Sequence, residues 1–305
     1  MTARRAPLSD GRWHFQHGPI DLVIASEGSA SAVAAAHRAA WTRFATVLQE
    51  LVDELPSLKR PVRGPCAVTG PVARRMWDAC VPHAARFITP MAAVAGSVAD
   101  ELIGCYRRDG IRRAWVNNGG DIALHLADGA SVRVGLFADL GRLDLRSWDG
   151  HVETDGDFAV SHAMAVRGIA TSGWRGRSFS LGIADSVTVL AGSAAEADAA
   201  ATMIANAVDV EDARIVRRPA SSLKDDSDLG DRLVTVDVPV LESALVHAAL
   251  ASGLACATML RARGSIAACA LVCQGRIAVT AAALEPASAD RWQATRLMAS
   301  TLEAA

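Results

Sequence analysis

The sequence is poor in aromatic residues and has no marked excess of charge of either sign. Aromatics make up 5% of its 305 residues, and the formal net charge is −2. A core must therefore be built from Ala, Val, Leu and Ile, and a hydrophobic content of 51% is ample for that purpose. The balanced charge gives no electrostatic footprint for nucleic acid or for an anionic membrane. We expect a small-molecule ligand or a protein partner, with a homo-oligomer left open.

Cysteine pairs and targeting segments are also missing. The six cysteines are scattered without a CxxC pair: Cys66, Cys80, Cys105, Cys256, Cys269 and Cys273. That spacing suits neither a zinc site nor a disulfide framework, so free thiols in a reducing compartment are predicted. The first eighteen residues are polar and hold no apolar signal core, which predicts a cytoplasmic protein.

One apolar run, residues 243–260, raises the question of a membrane span. Among its eighteen residues only His247 is markedly polar, but small residues and Gly253 lower its hydrophobicity. The run barely reaches the length needed to cross a bilayer. It therefore predicts a buried helix and no membrane partner.

Strand and helix signals come in clusters and do not alternate strictly, which predicts the α+β class. Helices are predicted from Ser29 or Ser31 to about residue 55, from Thr89-Pro90 past residue 102, and from a capping box at Ser193 and Glu196 to about residue 208. Strands are predicted at 20–25, 113–117, 121–126, 131–136, 164–170, 186–190, 233–238, 265–273 and 276–282. Asp128-Gly129 and Gln274-Gly275 each predict a hairpin, and residues 217–232 a surface loop.

The segment Asn118-Gly119-Gly120-Asp121 lies between two predicted strands. Consecutive glycines let backbone amides approach a ligand closely, and Asn and Asp tolerate unusual backbone angles. The segment therefore predicts either a ligand-binding turn or an ordinary tight turn.

A second segment, Thr171-Ser172-Gly173, ends a predicted strand. Its hydroxyls, followed by Arg175 and Arg177, could receive a phosphate or another anion. A plain strand-end turn with solvated arginines is the alternative.

The predicted late helix carries polar residues on a surface otherwise made of alanines. Asp198 and Thr202 are four residues apart and share one face, with Asn206 one turn further along. A carboxylate beside a hydroxyl suits a hard cation that keeps several waters, so a metal site is one interpretation and a solvated helix face the other.

The sequence shows none of the common catalytic motifs. Its eight histidines have no metal spacing such as HExxH, and no nucleophile elbow, Walker loop or GxGxxG is present. These absences argue against a serine hydrolase, a nucleoside triphosphatase and a Rossmann dehydrogenase.

Taken in order, five segments resemble the ApbE superfamily, the FAD:protein FMN transferases. They are a glycine-containing helix start ending in aspartate (residues 94–100), an Asn-Gly-Gly-Asp strand (118–121), a Thr-Ser-Gly turn (171–173), a Ser-Val-Thr-Val strand (186–189) and an Asp-x-x-Ala-Thr helix (198–202). Further matches at 17–21, 88–96, 116–122 and 228–230 with 233–236 resemble more closely a sister family whose activity is not assigned.

The resemblance implies a single ApbE-like domain over residues 1–305, with core motifs at 85–210 and a C-terminal α/β part at 233–305. Mixed or antiparallel sheets with packed helices are expected. It further implies a transferase-like enzyme that binds FAD or a related nucleotide with Mg²⁺. Metal roles would fall on Asp198, Thr202 and the carbonyl of Ala201, and ligand-binding roles on Gly96, Asn118, Gly119, Gly120, Asp121, Thr171, Ser172 and Gly173.

Two departures from the superfamily pattern predict that the fold and pocket persist while FMN transfer is lost. The lysine of the glycine-containing helix start is absent from residues 94–96, and a His-x-x-Asp-Pro-x-Thr-Gly segment is replaced by residues 177–185. Two alternatives use the same pocket or fold. One is a pterin-binding protein of one-carbon metabolism, since pteridine and isoalloxazine rings share a flat fused core. The other is a non-catalytic binding or assembly protein. The catalytic residues are unknown.

Overall fold

Thirteen strands occur in the part of the chain that the computed structural model describes, residues 2–136 and 156–280. In chain order they are β1 (Arg4–Pro7), β2 (Trp13–His17), β3 (Ile20–Gly28), β4 (Ile111–Asn118), β5 (Asp121–Leu126), β6 (Ser131–Leu136), β7 (Gly156–Ser161), β8 (Gly168–Ser172), β9 (Ser186–Ala191), β10 (Val216–Pro219), β11 (Leu233–Asp237), β12 (Ala268–Cys273) and β13 (Arg276–Val279). Nine of them form one sheet in the order β1-β2-β3-β4-β5-β8-β9-β12-β13, with every neighbouring pair antiparallel.

Two smaller sheets account for the remaining strands, and both correct a prediction. The turn at Asp128-Gly129 forms, with the Ala130 amide donating to the Ala127 carbonyl at 3.0 Å, but β6 pairs with β7 and not with β5. The predicted hairpin is wrong because β5 already has β4 on one side and β8 on the other, which leaves it no free edge. Part of the predicted 217–232 loop is also a strand, since β10 pairs with β11.

Six α-helices lie within the described residues: α1 (Ala30–Asp53), α2 (Leu55–Leu58), α3 (Pro71–Cys80), α4 (Val94–Ile103), α5 (Ala194–Ala207) and α6 (Ser243–Ala262). The predicted caps of α1 and α5 are confirmed, because Ser29 and Ser193 each accept a hydrogen bond from the amide three residues further on. The prediction at Thr89 is wrong in its cap: residues 90–93 form a 3₁₀ turn, and the Thr89 hydroxyl donates to Asp228 at 2.5 Å.

Helix α5 connects two parts of the hydrophobic core. Ala195, Ala199 and Met203 pack in a cluster with α1, α3, α4 and strands β2 to β5. Ala200 and Ile204, on another side of the same helix, pack in a second cluster with α6 and strands β8, β9 and β12. The small side chains of α5 allow both sets of neighbours to approach closely. The position of α5 is therefore fixed from several directions.

Helix α6 is the predicted apolar run. By length and composition it is the one helix among the described residues that could cross a membrane, and 39% of its most apolar window is buried inside the protein. Such a helix is a weak indication of a membrane span, because core helices have the same composition. The six cysteines are free, as predicted.

The contact between α4 and α5 depends on a residue without a side chain. A Cβ built on Gly96 would lie 2.2 Å from the carbonyl oxygen of Ala194 and 2.9 Å from the Ala195 amide nitrogen. Both atoms belong to the backbone at the start of α5, so neither can move aside alone. Gly96 therefore sets how closely the two helices approach.

We expect Gly96→Ala to lower the free energy of unfolding by about 2 kcal/mol or more, because the added methyl group would push α5 away from α4. Urea denaturation measures the change. Gly104→Ala is the matched control: Gly104 has a helical φ of −54° and open space around its Cβ position, so its substitution should leave stability unchanged or raise it. Equal losses in the two variants would contradict this account of the contact.

Candidate functional site

Three hydrogen bonds join segments that are far apart in the sequence. The Gly96 amide, in the first turn of α4, donates to Asp198 Oδ2 of α5 at 3.0 Å. Asn118 Nδ2 donates to the Ala95 carbonyl at 3.0 Å. The Thr171 amide at the end of β8 donates to Asp121 Oδ1 at the start of β5, at 3.2 Å. The structure thus brings together, around the N-terminal half of α5, the four segments in which site residues were predicted: 94–100, 118–121, 171–173 and 198–202.

The Asn118–Asp121 segment is a two-residue hairpin turn between β4 and β5. Its central residues have positive φ, +67° for Gly119 and +115° for Gly120, which explains the two glycines by conformation alone. Asn117 Oδ1 closes the turn by accepting from the Gly120 amide at 2.8 Å. The flanking Asn118 and Asp121 are paired across the two strands and buried, with exposures of 7% and 8%. They are the polar side chains that this turn contributes toward α4 and α5.

The Thr171–Gly173 segment contributes less than its hydroxyls suggested. Side chains alternate across a strand, and Ala170 packs in the cluster that contains α5, so the neighbouring Thr171 side chain lies on the opposite face of the sheet. There its hydroxyl is hydrogen-bonded to the Thr188 hydroxyl at 2.9 Å. Ser172 has the parity of Ala170 and lies on the face toward the helices. Gly173 allows close packing, because a Cβ there would lie 2.4 Å from the Asp185 carbonyl oxygen.

One face of α5 is less buried than the rest of the helix. Asp198, Thr202 and Asn206 are partly exposed, whereas every alanine of the helix from residue 194 to residue 205 is buried. Asn206 has a structural task, since its side-chain oxygen accepts from the Leu181 amide at 2.9 Å and from the Ser180 hydroxyl at 3.3 Å. Residues 180–183 are thereby held along the C-terminal half of α5. Asp198 and Thr202 remain on the part of the face nearest to Gly96.

The electrostatics of this region are dominated by two carboxyl groups. Burial raises the pKa of Asp121 to about 7, against the opposing effects of the Thr171 amide and the charge of Arg177. Burial also raises the pKa of Asp198 well above its usual range, and the charge of Asp121 raises it further. The two carboxylates are therefore close enough to repel each other in a place where water shields them poorly. A cation bound between or beside them would relieve that repulsion.

The oxygen donors here suit magnesium better than a transition metal. Within residues 2–136 and 156–280 no three His, Cys, Asp or Glu side chains are grouped to hold a metal. Asp198, the Thr202 hydroxyl and backbone carbonyls supply only hard oxygen ligands, which is the set that Mg²⁺ accepts when it keeps several waters. Ala201 lies in the middle of α5, so its carbonyl already accepts a helical hydrogen bond and could offer only its second lone pair.

Two buried polar atoms beside these segments have no hydrogen-bond partner among the described residues. They are Ser97 Oγ, directly after Gly96, and Trp174 Nε1, directly after Gly173. Buried polar groups are normally satisfied, so unmet hydrogen-bonding capacity indicates a place for water or a polar ligand. Both atoms are compatible with a site that takes a polar molecule.

Asp100 holds α5 in position, a role that the sequence did not reveal. Its two carboxylate oxygens accept from the amides of Ala194 and Ala195 at 3.1 and 2.9 Å, and it is 7% exposed. These are otherwise unpartnered amides of the first helical turn, so Asp100 caps α5 from α4. The only signal in the sequence was its place at the end of the 94–100 motif. Asp100 is a positioning residue for Asp198.

The raised pKa of Asp121 predicts a pH-dependent stability. The folded protein holds a proton on this group over a pH range in which the unfolded chain has released it, so the free energy of unfolding should fall as pH rises from about 4 to about 7. Asp198 acts in the same direction. Asp121→Asn keeps an acceptor for the Thr171 amide and should make this fall smaller.

Urea denaturation at pH 5 and pH 8, in the absence of divalent cations, measures the difference. Asp237→Asn, at an exposed position of β11, is the control and should retain the pH dependence of the parent protein. An unchanged pH dependence in Asp121→Asn would contradict the assignment of Asp121 as a buried, destabilising carboxylate.

Comparison with known proteins places the chain among relatives. The family model described as AbpE bacteria matches residues 5–279. Three curated relatives, each called a UPF0280 protein, come from Methanospirillum hungatei, Methanothermobacter thermautotrophicus and Methanosarcina acetivorans. The first is 35% identical over 45% of this chain and 52% of its own length. The second is 38% identical over 47% of this chain and 51% of its own length. The third is 31% identical over 68% of this chain and 75% of its own length. With the first two, the chain spans about half of the relative's length.

Among solved structures, the flavinyl transferase ApbE of Pseudomonas stutzeri in its apo form aligns with 91% of this chain and 94% of its own, at 14% identity and a TM-score of 0.44. A likeness at that level is too distant to assign a site residue or an activity. The family match needs no such support, because it extends over nearly the whole chain and agrees with the motifs found in the sequence. The chain belongs to the AbpE bacteria family, an ApbE-like family, and to the UPF0280 proteins.

Proposed function

We propose that this protein binds a flavin-type nucleotide, FAD or a close relative, together with Mg²⁺ at the start of α5. The observation that carries the proposal is the pair Asp121 and Asp198, two carboxylates from distant segments that lie close enough for their charges to interact and have no matching ion pair among the described residues. Keeping two such charges close together is costly unless a cation or a proton neutralises them. Family membership favours a nucleotide ligand over other ligands of a magnesium ion.

In this proposal each residue of the site has a physical task. Asp198 would hold the metal through the oxygen that is not committed to the Gly96 amide, and Thr202 would add its hydroxyl. A bound magnesium ion withdraws charge from the bridging phosphates of a dinucleotide. Gly96 orients Asp198 through its amide, and Asn118 fixes the neighbouring Ala95 carbonyl. Ser172, on the helix side of the sheet, is placed to offer a hydroxyl to the ligand.

We further propose that the protein binds the nucleotide without transferring FMN to a protein. Ala95 stands where the superfamily has a lysine, and the buried residues 182–184 of the segment that replaces the superfamily's histidine segment are committed to packing. Within it, a Cβ on Gly182 would lie 2.2 Å from the Ala205 carbonyl oxygen, and the Ile183 amide donates to the Val208 carbonyl at 2.8 Å. A cytoplasmic location and a single domain over residues 1–305 remain predictions.

Asp198→Asn tests the metal site. The amide keeps the size of the side chain and an acceptor for Gly96, but it removes the charge that would bind the cation. We expect the magnesium-dependent affinity for FAD to fall more than about tenfold, equivalent to about 1.4 kcal/mol. Isothermal titration with and without Mg²⁺ measures the effect, and a circular dichroism melt confirms that the variant is folded.

Glu196→Gln is the matched control, because Glu196 is an exposed acid on the same helix and its substitution should leave binding unchanged. If Asp198→Asn binds FAD with the parent's affinity and the same response to Mg²⁺, the metal site is wrong. The pterin and assembly-protein alternatives have no support from the described residues. The same titrations with a reduced pterin would identify the first, and an absence of binding to any nucleotide or pterin would favour the second.

A further inference from the structure

The side chain of Arg177 lies on the backbone of the Asn118–Asp121 turn. A Cβ built on Gly119 would lie 2.0 Å from Arg177 Nη2 and 3.2 Å from its Cζ, so the guanidinium occupies the space that a side chain at 119 would fill. Gly119 also has a φ of +67°, where L residues are strained. The turn and the 177–185 segment, which are more than fifty residues apart in sequence, therefore meet at this arginine.

Arg177 is exposed and makes no hydrogen bond or ion pair with another described residue. The contrast with Arg175, two residues earlier, is informative. Arg175 Nε is 3.0 Å from Asp185 Oδ1, and its guanidinium lies 5.1 Å from the centre of the Trp174 ring. Of these two arginines, which the sequence presented as equivalent anion receptors, one is committed within the protein and the other has its donors available.

The charges next to Arg177 make its position significant. The positive charge of Arg177 acts to lower the pKa of Asp121, and the negative charge of Asp121 acts to raise the pKa of Asp198. The guanidinium is thus the positive group at the edge of a site that otherwise holds two carboxylates. A phosphate-containing ligand would be repelled by those carboxylates unless cations face it. A guanidinium with free donors fits phosphate oxygens with two parallel hydrogen bonds.

We propose that Arg177 binds the phosphate oxygens of the ligand and makes the site specific for a diphosphate-containing nucleotide over the same ring system without phosphate. This rests on the proposed function and assigns one part of it to a residue in the segment where the chain departs from its superfamily. Gly119 serves the site indirectly, by leaving room for the guanidinium.

The experiment compares three probes on the purified protein in the presence of Mg²⁺: FAD, riboflavin and inorganic pyrophosphate. In Arg177→Gln we expect the affinity for FAD and for pyrophosphate to fall at least tenfold, while the affinity for riboflavin changes less than twofold. Arg177→Lys keeps the charge but lacks the paired donors, so its loss should be smaller, about three- to tenfold. Arg175→Gln removes the same charge nearby and should bind all three probes within twofold of the parent.

The outcomes separate this inference from the proposed function. If the parent protein binds FAD and Arg177→Gln binds FAD and pyrophosphate equally well, Arg177 has no phosphate role and the flavin proposal stands. If riboflavin binding falls as much as FAD binding, Arg177 is structural and the inference is wrong. The parent protein could bind pyrophosphate but not FAD, and Arg177→Gln could still lose affinity for pyrophosphate. That result would support the phosphate role of Arg177 and overturn the proposal of a flavin nucleotide. Should Arg177→Gln fail to fold, a full affinity for FAD in Arg177→Lys would overturn the phosphate role.

Discussion

The close approach of α4 to α5 is the constraint on which the rest of the site depends. Gly96 presses against the first backbone carbonyl of α5, and its amide donates to Asp198 one turn further along the same helix. Asp100, one turn further along α4, accepts both amides at the start of α5. Two helices that are far apart in the sequence are thus joined by backbone groups and two acids. A small displacement of either helix would break all of these contacts at once.

The acids in this arrangement differ in how well the protein satisfies them. Asp100 is satisfied by the protein, because its oxygens accept hydrogen bonds from the helix start that it caps. Asp121 and Asp198 receive fewer hydrogen bonds than two carboxylates can accept, and each raises the cost of ionising the other. Sites that carry out binding or catalysis commonly keep such unfavourable charges, since a ligand then supplies what the protein leaves out. Asp100 is therefore an acid that builds the fold, whereas Asp198 is the acid to which the proposed function gives a ligand role.

Local chemistry was readable from the sequence, and pairing between distant segments was not. The caps at Ser29 and Ser193 and the hairpin at Gln274-Gly275 were predicted, because each depends on a few adjacent residues. The predicted hairpin at Asp128-Gly129 was wrong because β8, more than forty residues later in the chain, pairs with the edge of β5 that β6 would have used.

The same limit applies to the candidate site. The order of the motifs located Asp121 and Asp198, but it could not show that the Thr171 hydroxyl lies on the far side of the sheet. That depends on strand parity, which only the register of β8 fixes. The sequence also could not show that the Thr89 hydroxyl donates a hydrogen bond to Asp228, which is 139 positions away.

The turn between β4 and β5 has a consequence for how this family can change over evolutionary time. Gly119 is required by the hairpin itself, whatever the protein binds, since both central residues have positive φ. Arg177 depends on Gly119 for its place, but the turn does not depend on Arg177. A lineage that abandoned the ligand would therefore be free to replace the arginine while it retained the glycines. The Asn-Gly-Gly-Asp motif would then persist after ligand binding was lost, and a substitution at position 177 would be the first sign of that loss.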